Sequence, residues 1–228
     1  KASTAIYGDE LNRLDLTHDL PQERINLLKI KISEQKNFKK VDSQELIHKH
    51  NLVKAKLISY LGLRNNYKSG TIYNEYVNAI RYYQKGKLDM AESAMLDIIE
   101  TEETPYFLEF LAQIYRDKSE FKKSLKYIER SISLLSAREP QIEMLYAEIL
   151  INIGNTESTI KGIDMLESST SNTLIRPRIH WHLSKAYYEI DNIPKADLNI
   201  AKYYSLIGDL ESAKRFSERA KKGLEYSS

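Results

Sequence analysis

Residues 76–99 read YVNAIRYYQKGKLDMAESAMLDII, and two small residues twelve apart, Ala79 and Ala91, flank Gly86 at the middle of the stretch. Apolar residues on either side recur at intervals of three and four, the period of a helix rather than a strand. Two helices joined by a tight turn can cross closely only where both carry a small side chain, so this stretch predicts a helical hairpin. The same spacing returns in Ala112 and Ser124 around Ser119, Ser184 and Ala196 around Asp191, and Ala201 and Ala213 around Gly208. A fifth pair, Ala147 and Gly162 around Gly154, is fifteen apart because the turn GNTESTIKG carries three extra residues. Three positions after each first small residue stands a large one: Tyr82, Tyr115, Leu150, Tyr187 and Tyr204.

Successive units start 33, 35, 37 and then 17 residues apart. The last step is too short for a separate hairpin, so helix Pro194–Ile207 is expected to serve as second helix of one unit and first helix of the next. The pattern resembles the tetratricopeptide repeat, a helix pair of about 34 residues that stacks into a superhelix. The expected fold is therefore all-α: a right-handed superhelix of helix-turn-helix repeats over residues 67–228, preceded by an N-terminal helical arm over residues 1–66. In the arm, Ile25, Leu28 and Ile32 follow Pro21 at helical spacing. Leu46, Val53, Leu57 and Leu61 follow Asp42 or Ser43, either a suitable cap, and Gly62 ends that helix. The polar segment GLRNNYKSG (62–70) reads as the linker.

Composition agrees. The 228 residues are 42% hydrophobic and 29% charged, with 8 glycines and 5 prolines, which excludes collagen-like and disordered chains. There is no cysteine, hence no disulfide, thiolate zinc site or thiol nucleophile. Thirty-four Lys and Arg against 32 Asp and Glu give a net charge of +2, too balanced for a dedicated nucleic-acid binder. Residues 1–70 carry 13 basic against 8 acidic groups, while the remainder carries 21 against 24, which supports two regions of different character. No apolar run approaches the roughly 20 residues of a membrane helix, so no membrane insertion is expected. No signal peptide is visible, and the chain begins with Lys1, as a mature form or an excised piece would.

Catalytic motifs are absent: no H-E-x-x-H, G-x-S-x-G, Walker loop or G-x-G-x-x-G occurs. The pairs His48/His50 and His180/His182 are two apart, which on a helix puts the rings on opposite sides; one of each is expected to pack and the other to be solvated. Glu100, Glu102 and Glu103 read as a solvated turn, and Lys36, Lys39 and Lys40 as a solvated loop. The chain is expected to be no enzyme and to hold no metal or cofactor.

A stacked array turns its first helices to a concave face. Exposed inner positions lie three before, one after and four after each first small residue. They are Tyr76, Ile80 and Tyr83; Glu109, Gln113 and Arg116; Met144, Glu148 and Ile151; and Trp181, Lys185 and Tyr188. Aromatics mixed with charges suit an extended peptide, so the candidate protein-binding residues are Tyr76, Tyr83, Glu109, Arg116, Trp181, Lys185 and Tyr188. Against this stands the plainer reading of 16 tyrosines as packing between helices with their hydroxyls in water. The first unit offers no Lys, Arg or Asn on this stripe, which disfavours a clamp for a chaperone's C-terminal carboxylate.

The order THDLPQERI (17–25), HKHNLVKAKLISYLG (48–62), YVNAIRYYQKGKLDMAESAMLDII (76–99) and PYFLEFLAQIYRD (105–117), closed by LNIAKYYSLIGDLESAKRFSERAKKGL (198–224), resembles the C-terminal part of bacterial periplasmic zinc metallopeptidases with tetratricopeptide repeats, the BepA-like family. The resemblance implies a parent whose peptidase domain holds the zinc, and a role for this chain as its non-catalytic half. It also implies a periplasmic location and protein partners, either clients or outer-membrane assembly machinery. Thr17 and His18 match the family's T-H pair, with Asp19 in place of its proline, and the likeness would bring His18 near the zinc cleft of the intact parent. The alternative is a free-standing scaffold or co-chaperone with no attached enzyme.

Overall fold

The computed structural model describes residues 21–34, 42–169 and 176–225. Expectations that fall on His18 and on Lys36, Lys39 and Lys40 lie outside the described residues. The described elements are all helices: α1 (Pro21–Ser33), α2 (Gln44–Tyr60), α3 (Ile72–Gln84), α4 (Leu88–Thr101), α5 (Pro105–Asp117), α6 (Phe121–Ser133), α7 (Pro140–Ile153), α8 (Thr156–Ser168), α9 (Arg176–Glu189), α10 (Ile193–Ile207) and α11 (Leu210–Glu225). The chain divides into two compact units, Lys1–His50 and Asn51–Ser228. The segment 62–70, read above as a linker, is thus inside the second unit, where the Tyr67 hydroxyl donates to the Asn51 carbonyl at 3.1 Å.

Six of the helices begin where a short polar side chain satisfies a free backbone N–H. Ser43, not Asp42, caps α2 by accepting from the Leu46 N–H at 3.2 Å. Thr71, Thr104, Asn155, Asn192 and Asp209 do the same for α3, α5, α8, α10 and α11. Such caps contribute about 1 kcal/mol each.

The hairpins end their first helices in one way. Gly86, Ser119, Asp191 and Gly208 all have positive φ, between 58° and 87°. The next N–H then reaches back five residues, from Lys87 to Tyr82 O, Glu120 to Tyr115 O, Asn192 to Tyr187 O and Asp209 to Tyr204 O. This is the left-handed helix stop that glycine adopts without steric cost. The acceptors are the four tyrosines that the repeat spacing singles out. Gly154 is also left-handed, but its N–H closes only the shorter bond to Ile151 O, as suits the unit with the longer spacing.

Helices pack as consecutive pairs: α3 with α4, α5 with α6, α7 with α8 and α9 with α10. Each second helix also touches the next first helix, and α5, α7 and α9 touch one after another. Helix α10 packs on both α9 and α11, so it does serve in two pairs. The core runs along the array in successive clusters. Phe107, Leu111 and Ile114 lie in the first, Ile128, Ile142 and Ile149 in the second, and Leu166, Ile179 and Leu183 in the third. The small residues sit at the tightest crossings: Ala79, Ala91, Ala112, Ser124 and Ala147 have no exposed surface at all.

Helix α2 buries Ala55, Ile58 and Ser59, not the apolar stripe that marks it in the sequence. Leu46, Val53, Leu57 and Leu61 are each more than half exposed.

Candidate functional site

The face shared by the first helices carries a continuous polar ladder. Tyr83 on α3 donates its hydroxyl to Asp117 Oδ2 at 2.5 Å and accepts from Gln113 Nε2 at 2.8 Å, both partners on α5. Arg116 donates from Nε to Asp117 Oδ1 at 2.8 Å and from its terminal nitrogen to Glu148 Oε2, on α7, at 3.0 Å. His182 Nε2, on α9, lies 3.8 Å from the same Glu148 oxygen. Hydrogen bonds thus link three successive first helices, and His182 of the fourth stands beside the last carboxylate.

Burial and charge tune this ladder. Burial pushes the Tyr83 phenol up to about 12, helped by its bond to the Asp117 carboxylate, so it stays a donor. Burial drives His182 down to about 4, and Glu148 only partly offsets this against the opposing charges of Arg178, Lys185 and Arg116. His182 is therefore a neutral ring at neutral pH.

Beside the ladder an open cleft of about 340 Å³ is lined by Arg116, Glu148, Arg178, Trp181, His182 and Tyr203. Trp181 is 40% exposed there, its ring edge-on to His182 at 5.0 Å, with the Lys185 ammonium 5.0 Å from its centroid. A second cleft of similar size lies between α9, α10 and α11, with Lys185, Tyr188, Phe216 and Arg219 among its lining. In it Asp197, whose carboxyl burial pushes up, pairs with Arg219 at 3.2 Å.

The structure departs from the expected groove at its N-terminal end. Tyr76 is not an exposed inner residue: it is 3% exposed and packs edge-on against Phe107 at 5.0 Å and Phe110 at 6.2 Å. Ser59 Oγ meets Val77 O at 3.5 Å, and Lys56 and Tyr60 come within electrostatic reach of Glu109. The end of α2 thus occupies the first unit's share of this face. Glu109 is partly buried, and burial pushes its carboxyl up against the pull of Lys56 and Arg116. Ile80, Met144 and Ile151, placed by spacing on the exposed stripe, are also buried, Ile151 lying close against Gly162 of the paired second helix.

Tyr83, Arg116, Trp181, Lys185 and Tyr188 do reach the face: the first two inside the ladder, the last three exposed on α9. Sequence spacing missed Arg178, Tyr203 and Asp117. Arg178 was legible, since it stands three residues before Trp181 on the same side of a helix. Tyr203 was not, because it belongs to a second helix that reaches the face only through the double role of α10. Both His180 and His182 are buried, against the expectation that one is solvated: the rings do point apart, but α9 has neighbours on both sides. His180 Nδ1 lies 2.9 Å from Asn199 Oδ1 on α10, while His182 faces α7. In the other pair His48 is half-buried and His50 exposed, and Glu103, read as solvated, forms a two-bond pair with Arg130 at 2.7 and 3.2 Å.

Among the described residues no group of three or more His, Asp or Glu is placed to hold a metal ion, and no helix is long and apolar enough to cross a membrane.

No family model matches the chain, and no curated protein matches it. Among solved structures, YrrB, a TPR protein with an unusual peptide-binding site, aligns with a TM-score of 0.56 at 15% identity, covering 74% of this chain and 90% of its own. The crystal structure of MamA aligns with a TM-score of 0.46 at 14% identity, covering 65% and 95%. At 15% identity the likeness to YrrB is one of fold: helix pairs stacked as in a tetratricopeptide-repeat array.

Proposed function

We propose that this chain is a protein–protein interaction module that holds a peptide segment of its partner on the face of its first helices. The observation that carries the reading is the open cleft spanning α5, α7, α9 and α10, with the half-exposed Trp181 on its wall. A rigid aromatic beside fixed charges is what a peptide groove needs, since it gives contact area at little entropic cost. The peptide-binding site of YrrB, on a similar fold, is in keeping with this. Panning a random peptide library against the chain tests it. Selected peptides are expected to lose at least tenfold in affinity for a Trp181→Ala, Tyr188→Ala variant of unchanged helicity. Unchanged affinity, or protection from hydrogen exchange confined to α4, α6 and α8, would place the site elsewhere.

The finer reading makes the module the non-catalytic part of a periplasmic zinc metallopeptidase, with clients or outer-membrane assembly machinery as partners. Holding a client beside a cleft raises its effective concentration to about the mM range. The resemblance of the ordered segments supports this reading. An upstream reading frame encoding H-E-x-x-H on a helix is the expected result, and a frame without it leaves the scaffold. In such a parent, His18→Ala is expected to lower zinc affinity; identical affinity removes the role for His18.

A further inference from the structure

Four residues of α9 stand in one line. Arg178, Trp181, Lys185 and Tyr188 are spaced three, four and three apart, so they share a helix face, and all four are exposed. Cation and aromatic alternate along it. Arg116 is already engaged by Asp117 and Glu148, whereas neither Arg178 nor Lys185 has an ion pair among the described residues. Around His182, three cations face the single carboxylate of Glu148. The stripe therefore presents two cations without an ion pair among the described residues beside two aromatic surfaces, the Lys185 ammonium lying over the Trp181 ring.

Resting on the reading above, we infer that this stripe recognises an acidic peptide segment carrying two carboxylate side chains three residues apart, each followed by an apolar residue. Arg178 and Lys185 are seven residues apart, about 10 Å along the helix. An extended segment of polyproline II type returns a side chain to one side every third residue, about 9 Å on. The carboxylates then meet Arg178 and Lys185, and the apolar side chains lie against Trp181 and Tyr188. A cation–aromatic row also suits single-stranded nucleic acid, which stacks its bases on aromatics. Peptide is favoured because Glu148 lines the same cleft and Glu189 the neighbouring one: two spaced carboxylates can meet the two cations alone, whereas a continuous phosphate backbone must also run past these acidic groups.

Trp181 is the only tryptophan, so its fluorescence reports on the stripe directly. The probes are a blocked heptapeptide with glutamate at its second and fifth positions, phenylalanine and leucine following them and serine elsewhere; its glutamine counterpart; and oligothymidylate. The acidic peptide is expected to shift Trp181 emission saturably and to bind about tenfold more tightly than the glutamine peptide at low salt, the difference two screened ion pairs supply. An Arg178→Gln, Lys185→Gln variant, of unchanged circular dichroism, is expected to erase that difference. Equal affinity for the two peptides overturns the acidic preference and leaves peptide binding standing. A stronger response to oligothymidylate overturns both in favour of nucleic acid. Silence of Trp181 with both peptides, while library-selected peptides do bind, overturns the inference alone.

Discussion

The Ser124 hydroxyl donates to the backbone carbonyl of Ala112 across 2.7 Å, and neither residue has any exposed surface. A second pair shows the same closeness: a Cβ built on Gly162 would lie 3.0 Å from both Ala147 O and Ile151 Cγ1. Small residues a dozen or so apart are therefore the places where backbone meets backbone, and larger ones there force the helices apart. Ser124→Ala is expected to cost about 1 kcal/mol, the worth of a hydrogen bond whose acceptor keeps its helical partner. Ser124→Leu and Ala112→Leu are expected to cost about 1–3 kcal/mol or more by overpacking. Urea midpoints of the variants check the order.

Ser119 holds the left-handed turn position, at φ 60°, that Gly86 and Gly208 hold in other hairpins. A residue with a Cβ pays about 1–2 kcal/mol in that conformation, while glycine loses somewhat more chain entropy on folding. Ser119→Gly is therefore expected to stabilise the chain by about 0.5–1 kcal/mol, and Gly86→Ala to destabilise it by about 1 kcal/mol. Opposite shifts in thermal midpoint confirm the reading.

Arg116 joins Asp117 to Glu148, with its side chain 15% exposed and that of Glu148 19%. Arg116→Met leaves Glu148 half-buried without its cation and is expected to cost about 1–3 kcal/mol. Adding Glu148→Gln to that variant is expected to recover part of the loss. A double-mutant cycle in urea measures the coupling, and additivity would show that the ladder does not act as a unit.

His182 is held near 4 by burial, below its ordinary value of 6.5. Between those values the unfolded chain takes up a proton that the folded one refuses, so this residue's contribution to stability is present above about pH 6.5 and is lost as pH falls toward 4. His182→Asn is expected to flatten that stretch of the stability profile. Denaturation midpoints across the window measure it, and an unchanged slope would assign the acid sensitivity to other groups.

The repeat frame was legible because it rests on local facts. Tyr82, Tyr115, Tyr187 and Tyr204 each accept the closing hydrogen bond of a hairpin whose turn residue spacing alone locates. The candidate site was legible only in part. Trp181, Lys185 and Tyr188 lie exposed where spacing puts them, but Tyr76 lies under aromatic rings of α5 and beside the end of α2. Exposure depends on what covers a residue, and the cover arrives from elements that periodicity does not relate to it.

By itself the sequence determined that the chain is helical, where its hairpins turn, and which crossings are tight, because turn geometry and close approach depend on side chains a few positions apart. Tertiary structure alone decided which inner residues remain open, that both His180 and His182 are buried, and that Tyr203 of a second helix joins the cleft. Those outcomes follow from contacts between helices far apart in the chain, whose burial free energy no single segment encodes.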